Sequence, residues 1–250
     1  MCGFRQHTRL DVVEDIPQPY KGTVMFQFVI GKKCHDVAIG YTDLMPIDKD
    51  CAEQSQIYFK LQFQRGGYGY SHVIPGGYVP DSRRLYFHLP KLRKLREREA
   101  FRSDVYGRFG TRFGTEIRER AMTVLREQNA FQFEGGMNIV GYRHFLQEVV
   151  QSKVCIDLPG KGDFCFRLMN YMALGSCVIA YPHRTTLHVP LVPGKHIVYT
   201  KPDFSDLVEL CEYYRQNANE REEIALNARE FFDLYLHKDN LVQYYFAHLP

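Results

Sequence analysis

Residues 153–180 read KVCIDLPGKGDFCFRLMNYMALGSCVIA and decide the fold class of this chain. The first six residues, four of them apolar, predict a buried strand, and a loop with two glycines follows it. A helix is predicted from about Asp163 to Leu174, and the apolar run Cys177–Tyr181 predicts a second strand. Strand, helix and strand in this order indicate a crossover between parallel strands.

The same alternation extends outward from this stretch. Helices are predicted over 115–127 and 142–150, and strands near 104–107, 131–133 and 196–199. The C-terminus is helical, with Asn219 and Glu222 spaced as a capping box before an apolar stripe that ends at Tyr235. Together these patterns predict an α/β fold with a Rossmann-type parallel sheet over residues 101–250.

The sequence changes character near residue 100. Before that point, aromatic and β-branched runs at 24–30, 36–41 and 56–63 predict strands separated by loops rich in glycine and proline. We therefore predict two domains, residues 1–100 and 101–250. A basic segment, Lys91–Arg102, lies at the boundary and predicts either a solvated linker helix or a surface for phosphate or an acidic partner.

Composition limits the partners and the compartment. The chain has 32 Lys and Arg against 29 Asp and Glu, a formal charge of +3, so no global basic field drives it to nucleic acid or anionic membrane. Its seven cysteines are scattered without a Cys-x-x-Cys pair, which indicates neither a disulfide framework nor a zinc site. No apolar run is long enough for a membrane span and no signal peptide is recognisable, which favours a cytoplasmic location.

The loop after the 153–158 strand is the best candidate for a binding site, because ligands of parallel sheets bind beyond the carboxyl ends of the strands. Gly160 and Gly162 let backbone amides approach an anion, the following helix start offers unpaired N–H groups, and Arg167 adds a fork of donors suited to phosphate. Asp163 would cap the helix or accept a sugar hydroxyl. Neither a Walker P-loop nor a G-x-G-x-x-G fingerprint occurs here, so an anion site and a structural turn both remain open.

The region from Tyr142 to Tyr235 resembles the nucleotide-sugar-binding half of GT-B glycosyltransferases. It particularly resembles the protein O-glucosyltransferase and capsule-associated xylosyltransferase group and the spore-protein-like bacterial glycosyltransferases. The residues that carry it are Ser152-Lys153, Gly160–Gly162, Phe166-Arg167, Leu174-Gly175-Ser176, Val178-Ile179, Pro193–Tyr199 and Asp203–Leu207.

The resemblance implies a GT-B-like fold in which the Rossmann-type domain binds the donor and a shortened N-terminal α/β domain serves the acceptor. It implies transfer of a hexose or pentose from a nucleoside diphosphate sugar to an acceptor hydroxyl, without a metal or any cofactor besides the donor. The acceptor would be a glycan, a protein or modified nucleic acid. A non-catalytic module that binds a nucleotide sugar or another phosphorylated ligand is the alternative, as is a sugar transferase acting on modified nucleic acid.

The resemblance also assigns roles to single residues. Arg167 would hold the donor diphosphate, and Asn170 occupies the position at which many GT-B enzymes carry a glutamate for sugar or ribose hydroxyls. The remaining donor-side residues would be Arg108, Arg112, Gly160, Lys161, Gly162, Asp163, Phe166, His183, Arg184 and Thr185. An inverting transfer needs a base from the N-terminal half, for which we choose Asp36 or Asp43 near strand ends. The other candidates for this base are His7, Asp11, His35 and His72.

Overall fold

The computed structural model describes residues 20–30, 32–80, 82–98 and 100–249. His7 and Asp11 therefore lie outside the described residues. The chain divides into two compact units. The first unit comprises the described parts of Met1–Val79, Arg184–Pro190 and Tyr235–Pro250, and the second comprises those of Pro80–His183 and Leu191–Leu234. This division differs from the predicted domains 1–100 and 101–250, because two later segments return to the first unit and residues 82–98 pack in the second.

The elements of the described chain are numbered in chain order. The strands are β1 (Thr23–Ile30), β2 (Lys33–Gly40), β3 (Ile57–Lys60), β4 (Phe63–Gln64), β5 (Val73–Pro75), β6 (Ser103–Arg108), β7 (Phe133–Gly136), β8 (Ser152–Asp157), β9 (Cys177–Ala180), β10 (Thr185–Thr186) and β11 (Val198–Tyr199). The helices are α1 (Lys49–Gln54), α2 (Arg84–Arg98), α3 (Thr115–Glu127), α4 (Tyr142–Val150), α5 (Phe166–Leu174), α6 (Leu207–Gln216), α7 (Ala218–Phe231), a π-helix (Phe232–Leu236) and α8 (Lys238–Ala247).

The first unit is built on a four-stranded sheet of order β1-β2-β3-β5. The β1–β2 pair is an antiparallel hairpin, whereas β3 and β5 run parallel to β2. Tyr58 and Phe59 are neighbours in β3 and point to opposite faces of the sheet. Tyr58 packs with Cys51 and Ala52 of α1, and Phe59 packs with Tyr245 of α8, so both faces of this strand are covered.

The second unit carries five parallel strands in the order β11-β9-β8-β6-β7. Helices α3, α4 and α5 connect successive strands from β6 to β9. Helices α2, α4 and α5 pack together, and α3 packs with α6 in a second group. The strand side chains are buried between these helices, as in the core around Val105, Ile156 and Leu125. The predicted α/β class with a Rossmann-type parallel sheet is confirmed.

Several helices begin at other residues than predicted, because burial, rather than local propensity, sets where helices begin. Helix α2 starts at Arg84 instead of Lys91, since Leu85 and Leu89 are buried on its inner side. Helix α5 starts at Phe166 rather than Asp163. The predicted capping box at Asn219 and Glu222 was wrong: the N-cap of α7 is Asn217, two residues earlier, and it makes no side-chain capping bond.

Three chemical features of the described residues are simple to state. The six described cysteines are free thiols. No group of His, Cys, Asp and Glu side chains in these residues is arranged to hold a metal ion. No helix in the described part of the chain has the length and apolar character needed to cross a membrane.

Candidate functional site

The order of the strands in the second unit reverses between β6 and β8, since β7 lies beyond β6 and β9 lies beyond β8. Such a switch point leaves a crevice at the carboxyl ends of the two strands, where ligands of open α/β sheets bind. Residues 109–114 follow β6 and are termed the β6 loop; residues 158–165 follow β8 and are termed the β8 loop. The two loops lead into α3 and α5, so two helix N-termini also lie at this edge.

Arg167, in the first turn of α5, reaches across the switch point. Its Nε lies 2.9 Å from Asp157 Oδ1, and its two terminal nitrogens donate to the carbonyl oxygens of Arg108 and Leu158. The guanidinium also lies over the ring of Phe109, 4.8 Å from its centroid. Arg167 therefore ties the ends of β6 and β8 together, and only 12% of its side chain is exposed. The expectation that it holds a diphosphate stays a prediction, because three of its five N–H groups are already bonded within the protein.

Asp157 closes strand β8 and is 1% exposed. Burial raises the pKa of its carboxyl group, and the guanidinium of Arg167 opposes that rise. Oδ2 of Asp157 is buried and has no hydrogen-bond partner among the residues that the structure describes. The carboxylate is thus held in place through Oδ1 alone, and its charge depends on the arginine beside it.

Arg118 was missed by the sequence analysis. Its Nε donates to the Pro159 carbonyl oxygen at 3.0 Å and its Nη1 to that of Gly110, so it joins the β8 loop to the β6 loop. Burial lowers the pKa of Arg118, and the nearby cation of Arg167 lowers it further. One signal was available in the sequence: Arg118 lies three positions before Ala121, on the buried stripe of α3, where a charged side chain needs a partner.

Arg108 is fully engaged at the end of β6. It makes a two-pronged ion pair with Glu148 through Nε, at 2.7 Å, and Nη2. Nη1 donates to Asn138 Oδ1 at 2.7 Å, and Glu134 accepts a further bond at 3.1 Å. Burial would raise the pKa of Glu148, but its bonds from Arg108 and Tyr106 outweigh burial and lower it. The predicted phosphate contact of Arg108 would therefore have to compete with an existing carboxylate.

Arg112 and Lys161 lie at the same edge of the sheet as Arg108, but they differ from it in exposure and pairing. Both side chains are exposed, one in the β6 loop and one in the β8 loop, and neither forms an ion pair with any described residue. The helix starts beside them have no side-chain cap: Gly114 precedes α3 and Cys165 precedes α5. Backbone N–H groups at the two helix starts, together with the two exposed cations, make this edge electropositive.

The other predicted donor-side residues of the second unit lie in the β8 loop or in α5, which follows it. Gly160 N–H donates to the Gly162 carbonyl oxygen at 3.0 Å, which closes a tight turn. Phe166 is exposed, whereas Asp163 is buried. The buried Oδ1 of Asn170 accepts a hydrogen bond from Tyr142 Oη at 2.9 Å, so this amide oxygen is turned toward a tyrosine of α4. Whether these residues contact a donor stays a prediction.

The predicted run after β9 is shared between the two units. His183 belongs to the second unit, where it is buried and its Nδ1 lies 2.9 Å from Tyr199 Oη. Arg184 and Thr185 belong to the first unit. There Thr185 lies in β10 and pairs with Gln64 of β4.

The candidate bases of the first unit lie in different places. Asp36 lies within β2, and its Oδ1 accepts a hydrogen bond from Gln27 at 3.2 Å on an exposed surface. His35 bonds to Gln56, and His72 lies 2.7 Å from the Ala52 carbonyl oxygen. Asp43 alone among these four follows the carboxyl end of a strand that has a parallel neighbour, as the rule for α/β sites requires.

Asp43 is surrounded by a buried polar cluster. Its Oδ1 accepts a hydrogen bond from Tyr78 Oη at 3.0 Å. Lys60, at the end of β3, is 1% exposed and donates from Nζ to Thr42 Oγ1 at 3.0 Å. Burial lowers the pKa of Lys60 to about 8, against the opposing charge of Asp43. Lys60 and Tyr78 thus hold the short loop that carries Asp43.

One Asp-x-Asp triplet, Asp48-Lys49-Asp50, occurs in the sequence. Such triplets can bind a divalent metal, since carboxylates are good ligands for Mg²⁺. Here Asp48 is the N-cap of α1, and its Oδ1 accepts a hydrogen bond from Cys51 N at 3.0 Å. The structure therefore gives Asp48 a helix-capping role.

Comparison with protein families decides what kind of chain this is. The family described as glycosyl transferase-like matches residues 90–245, more than half of the chain. The chain belongs to this family. The match spans the whole parallel sheet from β6 to β11, so the glycosyl transferase-like region contains the switch point with Arg118, Arg167 and both loops.

Individual relatives of this glycosyl transferase-like chain are distant. Uncharacterized protein 179R of Invertebrate iridescent virus 6 is 30% identical over 108 residues, which cover 39% of this chain and 9% of the relative. The chain thus spans less than a tenth of the length of this curated relative.

Two solved structures are also similar to the glycosyl transferase-like chain. The C-terminal domain of the glycosyl transferase group 1 family protein LpcC from Francisella tularensis has a TM-score of 0.40 and 13% identity, covering 64% of this chain and 96% of that one. Anabaena Alr3699/HepE in complex with UDP-glucose has a TM-score of 0.46 and 15% identity, covering 78% and 64%. The family assignment rests on the match over residues 90–245.

Proposed function

We propose that this chain is a glycosyltransferase that moves a sugar from a nucleoside diphosphate sugar to an acceptor hydroxyl without a resident metal, in a GT-B-like arrangement. Family membership supports sugar transfer, and the electropositive edge at the switch point supports a phosphorylated donor. The observation that carries the proposal is that Arg118 and Arg167 fix the β6 and β8 loops while Arg112 and Lys161 stay exposed beside two uncapped helix starts.

The donor diphosphate would lie against Arg112, Lys161 and the first N–H groups of α3 and α5. Departure of the sugar leaves a nucleoside diphosphate, and its developing negative charge has to be stabilised in the transition state. The N–H dipoles of the two helix starts and the two cations supply that stabilisation. The hydrogen bonds from Arg118 and Arg167 to the loops keep these dipoles in place. Arg167 would then be mainly a positioning residue, with its two remaining N–H groups available to a phosphate oxygen.

Asp43 is our choice for the group that takes the proton from the acceptor hydroxyl. Tyr78 fixes the direction of its carboxylate, and Lys60 fixes the preceding residue, Thr42. Both contacts restrict the motion of the loop, so the carboxylate of Asp43 is already oriented before an acceptor binds. Asp36 is less suited to this role because it lies inside a strand and bonds to Gln27.

A second candidate function is a non-catalytic module that binds a nucleotide sugar. One observation favours it: two of the three arginines expected on the donor side, Arg108 and Arg167, are each paired with a carboxylate, Glu148 and Asp157. A module of this kind would still bind the diphosphate through the exposed residues of the two loops, but it would not turn the donor over.

The finer points of the proposal are the sugar, the acceptor and the compartment. We infer that the donor sugar is a hexose or a pentose, as in the protein O-glucosyltransferase and capsule-associated xylosyltransferase group. The acceptor would be a glycan, a protein or modified nucleic acid. A cytoplasmic location would keep the six described thiols reduced, in agreement with their free state.

Two measurements on the full chain test this proposal. Thermal unfolding with UDP, GDP, dTDP and CDP and with their sugars should show selective stabilisation by one nucleotide, because ligands that bind only the folded state raise its stability. Release of that nucleoside diphosphate from its sugar should then be detected both with and without EDTA. The rate of release should fall in Asp43→Asn. Stabilisation without release would favour the binding module, and no stabilisation by any nucleotide would overturn both readings.

A further inference from the structure

Helix α2 presents a regular basic stripe away from the sheet. The stripe, termed the α2 outer face, recurs at helical spacing and consists of Arg84, Phe87, Lys91, Lys94, Leu95 and Arg98. All of these side chains are exposed except Leu95, which is half-buried, and Phe87 is 83% exposed. From the first to the last residue the stripe is about 21 Å long, at about 1.5 Å per residue.

The inner side of α2 fixes the direction of this stripe. Leu85, Leu89 and Leu92 are buried in the second unit. Arg93 makes a two-pronged ion pair with Asp233, at 2.9 and 2.7 Å. Because these contacts hold one side of the helix against the protein, the α2 outer face cannot turn inward and remains exposed to solvent.

The charge of the stripe is of one sign. It contains four cations and no acidic residue, and none of the four forms an ion pair with a residue in the described part of the chain. At its N-terminal end Arg84 lines a shallow depression together with Arg143, His144 and Gly141. The positive surface therefore extends from α2 to the start of α4. With a formal charge of only +3 for the whole chain, this is a local concentration of charge.

We propose that the α2 outer face docks the protein on an anionic phospholipid surface. Arginine and lysine side chains in a row pair with lipid phosphates and acidic headgroups, and an exposed aromatic ring among them enters the boundary between headgroups and acyl chains. The exposed ring of Phe87 favours a membrane over a nucleic-acid backbone, because a backbone offers phosphates but no apolar layer in which to bury the ring.

The test is co-sedimentation of the full chain with vesicles. Vesicles of phosphatidylcholine with roughly one quarter phosphatidylglycerol should bind the protein, those of phosphatidylcholine alone should not, and binding should weaken between about 50 and about 300 mM NaCl. The double variant K91E/K94E should lose at least about tenfold in partitioning, from the attraction that each basic residue contributes near such a surface. Phe87→Ser should weaken binding several-fold at both salt concentrations, because its contribution is apolar.

The matched control is K195E/K201E, which reverses two exposed lysines of the same unit outside α2 and should bind like the wild type. All substituted side chains are exposed, and unchanged thermal unfolding would confirm that each variant is folded. Equal binding to both vesicle types, no binding at all, or wild-type binding by K91E/K94E would overturn the proposal. Displacement by inorganic phosphate at matched ionic strength would assign a free-phosphate site instead, and preferential binding to a DNA duplex that depends on Lys91 and Lys94 would assign the face to nucleic acid.

Discussion

Arg167 Nε lies 2.9 Å from Asp157 Oδ1, where strand β8 gives way to the β8 loop; Asp157 is buried and Arg167 is mostly buried. The pair links the first turn of α5 to the strand before it. The same guanidinium donates to the backbone of β6, so one side chain sets the separation of the two strands that border the switch point. The geometry of the candidate donor site thus depends on an ion pair that need not contact the donor itself.

Replacing Asp157 by Asn should destabilise the protein by about 3 kcal/mol, because the buried Arg167 cation would lose its counter-charge. The free energy of unfolding in urea measures this loss. Glu223→Gln is the control, since this exposed glutamate of α7 has no ion pair with a described residue and its loss should change stability by less than about 0.5 kcal/mol. Equal stability of the two variants would show that the ion pair is not needed to fix the loop.

Donor affinity should depend more on the exposed cations than on Arg167. In R112A/K161A the dissociation constant of the selected nucleoside diphosphate should rise by roughly 10- to 100-fold with little change in melting temperature, because two charged contacts are lost from an exposed site. Titration calorimetry measures it.

Arg167→Lys should affect the stability of the protein more than its affinity for the nucleotide. A lysine cannot reproduce the three fork-like bonds, so the melting temperature should fall by several degrees before affinity is lost. Wild-type affinity in R112A/K161A would contradict our placement of the diphosphate.

Gly114 offers a test of how tightly the two loops fit. It has φ +63°, and a Cβ at this position would lie 2.5 Å from the Pro159 carbonyl oxygen. Gly114→Ala should therefore shift the β8 loop, lower stability by about 1–3 kcal/mol and weaken nucleotide binding. Gly141→Ala is the matched control: it also precedes a helix, but its φ is −61° and nothing lies within 4 Å of the added carbon. Comparable effects of the two substitutions would refute the close approach.

Lys60 should give the protein an unusual dependence of stability on pH. Its pKa in the folded state is lowered to about 8 from 10.5, so between these values the unfolded chain binds more protons than the folded one. Stability contributed at this position therefore rises with pH through that window. Relative to Lys60→Met, the free energy of unfolding of the wild type should rise by about 2 kcal/mol between about pH 7.5 and about pH 10. A constant difference would show that Lys60 keeps an ordinary pKa.

The helices were predictable where one buried face repeats at helical spacing. The predictions over 115–127 and 142–150 match Thr115–Glu127 and Tyr142–Val150, since their apolar stripes are set by the core they cover. Helix α2 was harder to predict, because basic residues lie among the three buried leucines of its inner side. Arg118 was missed for a related reason: a lone arginine on an apolar stripe tells nothing of which carbonyl oxygens it will reach.

The sequence predicted where the β8 loop lies but not which residues its side chains pair with, and whether the loop binds a donor stays a prediction. Glycines and an arginine after an apolar strand located the β8 loop correctly, because parallel strands bring their carboxyl ends to one edge. The partners of Arg108 and Arg167 could not be inferred, since Glu148 and Asp157 reach them through space from another helix and from a strand end. The sequence therefore indicated two available cations where the structure has two ion pairs.

The three-part construction of the first unit has a consequence for protein engineering. Thr185 supplies the strand that pairs with Gln64, and Tyr245 covers Phe59, yet both lie far along the polypeptide from the residues they complete. A chimaera that exchanges the first unit with that of a related chain by one crossover after Val79 would join mismatched pieces at both places. Swapping this unit requires three simultaneous transplants, and a homologue donating all three would be the smallest functional cassette.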